Sequence, residues 1–493
     1  MSAIAPSPPV SIPAAIRREF EQALGPNQVI RRKEELLTYE CDGLAAYRQR
    51  PALVVLPRNT AQVAAAVGIC HRHNLPWVAR GAGTGLSGGA LPLADGVLIV
   101  LAQMNQILNI DYANQRVTVQ PGVINSNVTQ AVSGQGFYYA PDPSSQIICS
   151  IGGNVAENSG GVHCLKYGVT TNHVLGLTVV IPDGSIVELG GMAAEMPGYD
   201  LMGVFVGSEG TLGVATEITL RILPTPEAIA VLLADFDSIE AAGAAVTAII
   251  GAGIIPAGME MMDNLSINAV EDVVALGCYP RDAGAILLVE LDGLEVEVAA
   301  NLERVGAICR EQGARSLTTA TDPAQRLKLW KGRKATFAAA GQMSPNYFVQ
   351  DGVVPRTQLA RILREIEELS ARSGYRIANV FHAGDGNLHP LILYDQAIPG
   401  AFAEVEEVGA EILRLCVEAG GSLSGEHGIG ADKNCYMPQM FTPADLETMA
   451  KVRDAFNPKG LANPGKLFPT PQQCGARANA LQNVPPIPGA ELF

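Results

Sequence analysis

Residues 78–90 read VARGAGTGLSGGA, and the fold turns on how this loop continues. Gly83, Gly85 and Gly88 fit the G-x-G-x-x-G spacing of a dinucleotide-binding βαβ unit, where a helix opens at the glycines and turns its N–H groups on a pyrophosphate. Here the chain meets Pro92 and then a new apolar strand, GVLIVL (96–101), so no helix has room to start. What remains is a run of backbone N–H groups with few β-carbons, beside the hydroxyls of Thr84 and Ser87. Such a nest can wrap a diphosphate without a helix dipole. A tight turn that merely tolerates glycine is the plainer alternative.

Upstream, PALVVLPRNTAQVAAAVGICHRHNLPWVARG (51–81) reads as strand, helix opened at Thr60, and strand Trp77–Arg80. Downstream, short strands crowd together in QRVTVQ (115–120), LTVVIPDGSIVEL (177–189) with an Asp183-Gly184 turn, and VATEITLRILP (214–224). Two more glycine-rich segments join them, PDPSSQIICSIGGNVAENSGG (141–161) and GSEGTLG (207–213). Three such loops are most simply explained by one long cofactor threaded between two small sheets. Past Pro224 and Pro226 the elements lengthen, with VLLADF (231–236), a helix from Ser238, AILLVELDG (285–293), a helix from Val296 to Gly313 and a charged helix from Arg361 to Ser373. Helices and strands alternating with hairpin signals predict an α+β domain on an antiparallel sheet. The expected division is a helical leader at 1–45, a first domain at 46–225, a second at 226–470 and an extended tail at 471–493. A helix from Pro443 to Phe456 closes the second domain.

The 493 residues require two or three domains, since one core rarely grows past roughly 250 residues. Hydrophobic residues at 48% and charged ones at 17% make the chain globular, and a net charge of −15 speaks against a nucleic-acid partner. Nine cysteines are scattered with no C-x-x-C, which excludes the usual iron-sulfur and structural-zinc patterns and fits a reducing compartment. The N-terminus lacks a basic segment followed by an apolar one, so a cytoplasmic location is expected. The uncharged stretch 241–259 is Ala/Gly-rich, carries Pro256 and reads as a helix followed by a strand, not as a membrane span.

Of seven histidines, His382, His389 and His427 lie among glycines in the second half. If Asp385-Gly386 are the central pair of a turn, His382 opposes His389 on one face of a hairpin, with β-carbons about 4.5–5.5 Å apart. Such a pair can share a metal ion, with Glu426 of SGEHGIG as a third, anionic ligand. Two imidazoles and a carboxylate suit zinc, iron or manganese alike. The alternative is that both histidines only hydrogen-bond locally. In extended backbone His427 points away from its neighbour Glu426, and an imidazole, with an ordinary pKa of about 6.5, suits a general base. His71, His73, His163 and His173 receive no role.

VARGAGTGLSGGA, APDPSSQ, SIGGNVAENSGG and GSEGTLG resemble the FAD-binding domain of the vanillyl-alcohol oxidase and p-cresol methylhydroxylase fold. FHAGDGNLHP, SGEHGIG and NPGK resemble the C-terminal half of FAD-linked 2-hydroxyacid dehydrogenases. The resemblance runs from about Tyr39 to the tail, and within that family it is nearest to the FAD-binding subunits of bacterial glycolate oxidases. It implies a two-subdomain FAD-binding domain, an α+β substrate or cap domain, and a C-terminal helical segment that returns to the flavin.

By the same resemblance, Arg80, Gly81, Ala82, Gly83, Thr84, Gly85, Leu86, Ser87 and Gly88 hold the FAD diphosphate. Pro141, Asp142, Ser145, Gly152, Gly153 and Asn154 line the cofactor, Gly160, Gly161 and Glu209 belong to the same set of loops, and Asn463 returns to the flavin. Covalently flavinylated relatives carry a histidine in the first glycine loop; this chain has none, which implies noncovalent FAD.

The family also assigns the metal to His382, His389 and Glu426 and the substrate carboxylate to Arg333. Where relatives acting on dicarboxylates carry polar groups, this chain has Phe337, Val349 and Leu391. The activity implied is oxidation of glycolate to glyoxylate, and of D-lactate to pyruvate, with hydride passing to flavin N5. Electrons would then leave through partner subunits, one of them iron-sulfur, which also supply any membrane association. A D-lactate dehydrogenase that works without companion subunits, using quinone or cytochrome, and a flavin-free assembly module are the alternatives.

Overall fold

The computed structural model describes residues 11–191, 197–275 and 277–470. They form two compact units that interleave in sequence, whereas the reading above divides the chain linearly at 225/226. A glycine-loop unit takes residues up to Gly160, Val169–Pro224 and the segment from Glu426 onward. A large-sheet unit takes Gly161–Gly168 and Thr225–Gly425. The expected tail at 471–493 and the first ten residues of the leader lie outside the described residues. The rest of the leader is helical at Ala14–Leu24 and Lys33–Leu36.

The glycine-loop unit contains β1 (Val29–Ile30), β2 (Leu53–Val55), β3 (Trp77–Arg80), β4 (Val97–Val100), β5 (Ile107–Asp111), β6 (Arg116–Val119), β7 (Phe137–Tyr138), β8 (Val174–Val180), β9 (Ile186–Gly190), β10 (Val214–Arg221) and β11 (Leu223–Pro224). β2, β4 and β3 pair in parallel, with β1 antiparallel at the edge beside β2. The crossover from β2 is helix Thr60–His73, opened by Asn59, whose side chain accepts from Gln62 N–H, and closed by Asn74 at φ 50°. Its buried face (Val63, Val67, Ile69, Cys70) packs over β2–β4 with Trp77 at the centre. Beyond β3 the C-terminal segment comes back: Trp77 N–H donates to Leu461 O at 2.9 Å and Asn463 N–H to Trp77 O at 2.8 Å. A second sheet, ordered β5-β6-β10-β8-β9 and antiparallel throughout, has its own core of Val117, Val119, Leu177, Val179, Ile218 and Leu220.

The large-sheet unit contains β12 (Ala228–Phe236), β13 (Gly258–Asp263), β14 (Ala285–Gly293), β15 (Ser316–Ala320), β16 (Asn346–Val349), β17 (Ile377–His382) and β18 (Pro390–Tyr394). They form one antiparallel sheet in the order β15-β12-β14-β13-β17-β18-β16. Helices Asn264–Val274 and Pro323–Met343 cover the face that carries Val231, Leu233, Met262, Leu288 and Val380. Helix Glu295–Glu311 packs over Leu232 on the opposite face. Covered on both sides, β13 and β14 are buried along nearly their whole length and read as continuous apolar runs. A charged residue inside such a strand needs a partner, and β13 carries one, Glu260.

Candidate active site

In the glycine-loop unit, β3 ends at Arg80 and no helix follows before β4. The Arg80 guanidinium folds back under the loop, donating from Nη1 to Cys41 O at 2.5 Å. Gly83 sits directly above it at φ 72°, where a β-carbon would collide with that guanidinium. Among the described residues the amides from Gly83 to Gly89 donate no hydrogen bond, and the fully buried Ser87 Oγ has no partner. Groups left unpaired in this way call for an anionic, acceptor-rich ligand. Beside them lies a cavity of about 200 Å³ lined by Gly81, Ala82, Ala102, Asn105, Gly122, Ile124, Asn127 and Ser150. The glycine loop therefore fits a diphosphate. The Gly122–Asn127 wall is not among the residues expected from sequence, although PGVINSN between β6 and a helix is a turn-rich signal of the same kind.

The other loops support this cradle mainly through protein–protein bonds. SIGGNVAENSGG contains a short helix, Ile151–Glu157, where a loop was expected, capped by Ser150 Oγ accepting from Gly153 N–H at 3.4 Å. Asn154 is buried and accepts from Asn125 Nδ2, which also donates to Pro141 O. Ser145 O accepts from Ile148 and Cys149 N–H, and Asp142 is half-buried in the same turn. Gly160 and Gly161 mark the point where the chain leaves this unit.

Glu209, buried at φ 51°, accepts from Ile429 N–H (2.7 Å) and Gly430 N–H (2.6 Å). Asn463 Nδ2 donates to Glu209 O (2.6 Å) and Gly89 O (3.0 Å), so its amide ties two loops together. Burial pushes the Glu209 and Glu157 carboxyls up, while Lys466, whose ammonium donates to Leu91 O, is lowered to about 8 by the same cause.

In the large-sheet unit, β17 leads into FHAGDGNLHP. His382 bridges to Asn387, not to His389, and Asn379 pairs with Pro390. The turn thus centres on Gly384-Asp385, a shift of two in pairing sum from the expected Asp385-Gly386 turn. An even shift keeps each side chain on its face, so His389 lies diagonally beyond Asn387 on the side of His382. The two rings meet edge to face with centroids 5.1 Å apart, and both are buried.

Each histidine has a buried carboxylate nearby. His382 Nδ1 lies 2.6 Å from Glu260 Oε1, and His389 Nε2 lies 3.5 Å from Asp351 Oδ1. Asp351 also accepts from Ser424 Oγ (2.5 Å) and Gly425 N–H (3.1 Å), which fixes the chain just before Glu426 and His427. Those two residues open the C-terminal segment of the other unit. The donor set of two close imidazoles fits a divalent cation.

Arg333 projects from helix Pro323–Met343, 2% exposed, and its Nε donates to Glu260 Oε2 at 2.7 Å. The Nε edge of its guanidinium is therefore taken by Glu260, leaving Nη1 at the far end. One turn on, Phe337 packs 6.4 Å from the His389 ring, and Val349 and Leu391 pair across β16 and β18 to complete an apolar wall. Glu260 is the residue that sequence reasoning passed over, and its signal was an acid between methionines inside the strand GMEMMD, whose second acid, Asp263, stands only at its end.

Comparison with known proteins places this geometry. The chain is 55% identical over 447 residues to "Glycolate oxidase subunit GlcD" of Escherichia coli K12, covering 91% of this chain and 89% of that protein. The family model "FAD binding domain" matches residues 51–190, and "FAD linked oxidases, C-terminal domain" matches 225–467. The chain belongs to the FAD-linked oxidase family. As an FAD-linked oxidase it is a flavoprotein and an oxidoreductase, so the glycine-loop unit is its FAD-binding part. A second relative of this FAD-linked oxidase, "Glycolate oxidase subunit GlcD" of Bacillus subtilis, is 39% identical and covers 92% of this chain and 96% of that one. In fold, it matches p-cresol methylhydroxylase with a TM-score of 0.78 at 16% identity, over 93% of this chain and 98% of that one.

Proposed function

We propose that the protein is the FAD-binding catalytic subunit of a glycolate oxidase, converting glycolate to glyoxylate and also accepting D-lactate. The reading is supported above all by the extent of its identity with glycolate oxidase subunits. Arg333 holds the substrate carboxylate through the end of its guanidinium turned away from Glu260. His382, His389 and Glu426 hold a divalent cation, zinc, iron or manganese, which when bound polarises the substrate hydroxyl. His427 takes the hydroxyl proton. The glycine loop from Arg80 to Gly88 would hold FAD noncovalently, and the bound cofactor would supply the acceptor for the α-carbon hydride. Phe337, Val349 and Leu391 leave a second substrate carboxylate without a partner, which favours small monocarboxylates.

Partner subunits, one of them iron-sulfur, carry electrons onward to the membrane quinone pool. Among the described residues no helix is long and apolar enough to cross a membrane, and we place the protein in the cytoplasm, peripheral to the membrane through those partners. Steady-state kinetics with an artificial acceptor across glycolate, D- and L-lactate and D-2-hydroxyglutarate test the reading. The expected order is glycolate and D-lactate far above the other two. A preference for the dicarboxylate would overturn it.

A further inference from the structure

Glu260 is a carboxylate whose two oxygens are committed to two different working groups. It lies on β13, directly opposite His382 of β17 in the sheet register, and its side chain has no solvent exposure. Oε1 meets His382 Nδ1 at 2.6 Å, and Oε2 receives Arg333 Nε at 2.7 Å, with Arg333 Nη2 also within 2.7 Å. Two strands and a helix are thus joined at one buried acid. A carboxylate this deep is costly unless fully paired, and its partners are the residues that the proposed function gives to metal and substrate.

A packing role alone is already served elsewhere on the same face. Glu290 of β14, two residues beyond Leu288, which pairs with Glu260, accepts from Trp330 Nε1 at 2.6 Å and meets His163 Nε2 at 2.9 Å. Helix Pro323–Met343 is therefore anchored to the sheet once by Trp330 and Glu290, without touching either group of the site.

We propose that Glu260 is a positioning residue that sets the metal-binding geometry of His382 and the substrate-binding geometry of Arg333 together. By holding Nδ1 it fixes the tautomer of His382 and directs Nε2 to the metal, as outer carboxylates do for metal-bound histidines. By holding the Nε edge it directs Arg333 Nη1 at the substrate carboxylate. One acid thereby couples the distance between metal and carboxylate anchor, which decides how a 2-hydroxyacid can span them. The inference rests on the proposed roles of His382 and Arg333.

The test uses the FAD-loaded protein and measures affinity for zinc(II) and manganese(II) by chelator competition, with FAD content as a check on folding. Glu260→Gln should weaken metal binding by about 10- to 100-fold and raise KM for glycolate more than it lowers kcat, with FAD retained. Glu260→Asp, which restores the charge, should recover part of the metal affinity, and it supplies the measurement should Glu260→Gln fail to fold. Glu290→Gln removes another buried acid of that face and should leave metal affinity unchanged.

His382→Ala separates the possible failures. If it loses metal while Glu260→Gln and Glu260→Asp bind as wild type does, Glu260 has no positioning role and the metal site stands. If His382→Ala itself binds metal normally, both readings fall. Equal metal loss in Glu290→Gln and Glu260→Gln would reduce Glu260 to packing and overturn the inference.

Discussion

Glu426 and His427 are neighbours with different proposed chemistry, so single substitutions separate them. Glu426→Gln keeps the volume and removes the anionic ligand, so metal content and activity should fall together. His427→Asn leaves the ligands in place, so metal and FAD should remain while the flavin-reduction step, followed by stopped flow, slows by roughly 10²- to 10⁴-fold. Metal loss in His427→Asn alone would swap the two roles. At the cofactor, Gly83→Val places a β-branched side chain at φ 72° against the Arg80 guanidinium. The purified variant should emerge without its yellow flavin, and a fully loaded one would mean that this loop is not the cradle.

Behind the same loop, Asp42 accepts from Leu44 and Ala90 N–H, yet burial raises its carboxyl from 3.8 to about 6. The folded state prefers its protonated form, so this contribution to stability is complete below about pH 4 and is lost as pH rises through 6. Asp42→Asn should flatten the thermal midpoint of the loaded protein between pH 4 and 7 relative to wild type. Parallel curves for the two proteins would refute the assignment.

At the level of elements, the hairpin that carries the two histidines is gripped by the segment before helix Leu359–Ser373. Val354 N–H donates to Gly386 O, and Leu388 N–H to Gly352 O. Gly386 has φ 81°, and a β-carbon there would collide with Val354 O. Gly386→Ala should therefore displace the turn, with weaker metal binding and retained FAD; unchanged metal affinity would show that the turn does not set the spacing of the histidines. This neighbour explains why the register escaped the sequence: turn preference alone favoured Asp385-Gly386, while contacts from residues 352–354 decide the pairing. The face survived because the orientation of side chains along a strand repeats every two residues.

Elements governed by local pattern were legible in the same way. Trp77–Arg80, Ala285–Gly293 and Pro443–Phe456 form where apolar runs or a Thr442 cap place them. Helix Pro323–Met343 was not legible, because its buried side includes Gly332, Arg333 and Thr336 and so shows no apolar stripe. Arg333 faces inward to meet Glu260, and for the same reason Glu260 reads as an anomaly in a strand. Helix Ala401–Glu418 does carry a stripe at Val405, Val408, Ile412 and Leu413, a helical signal present in the sequence.

For the whole molecule, the decisive constraint is where two electrons go after each turnover. The sequence has nine cysteines and no C-x-x-C, so the usual cysteine ligand spacing for an iron-sulfur relay is absent from it. Two relatives that match over nearly all of its length are named as subunits, and on that ground we assign the onward transfer to companion proteins. An enzyme that hands electrons to a protein partner needs its reduced flavin to persist until that partner accepts them, and fast reaction with oxygen would compete with the transfer. The isolated protein should therefore oxidise glycolate briskly with a dye or quinone acceptor while consuming oxygen slowly. Oxygen uptake and dye reduction, measured on one preparation at equal glycolate, compare the two directly. Rapid peroxide formation, stoichiometric with glyoxylate, would make the protein an oxidase in its own right and remove the need for a relay.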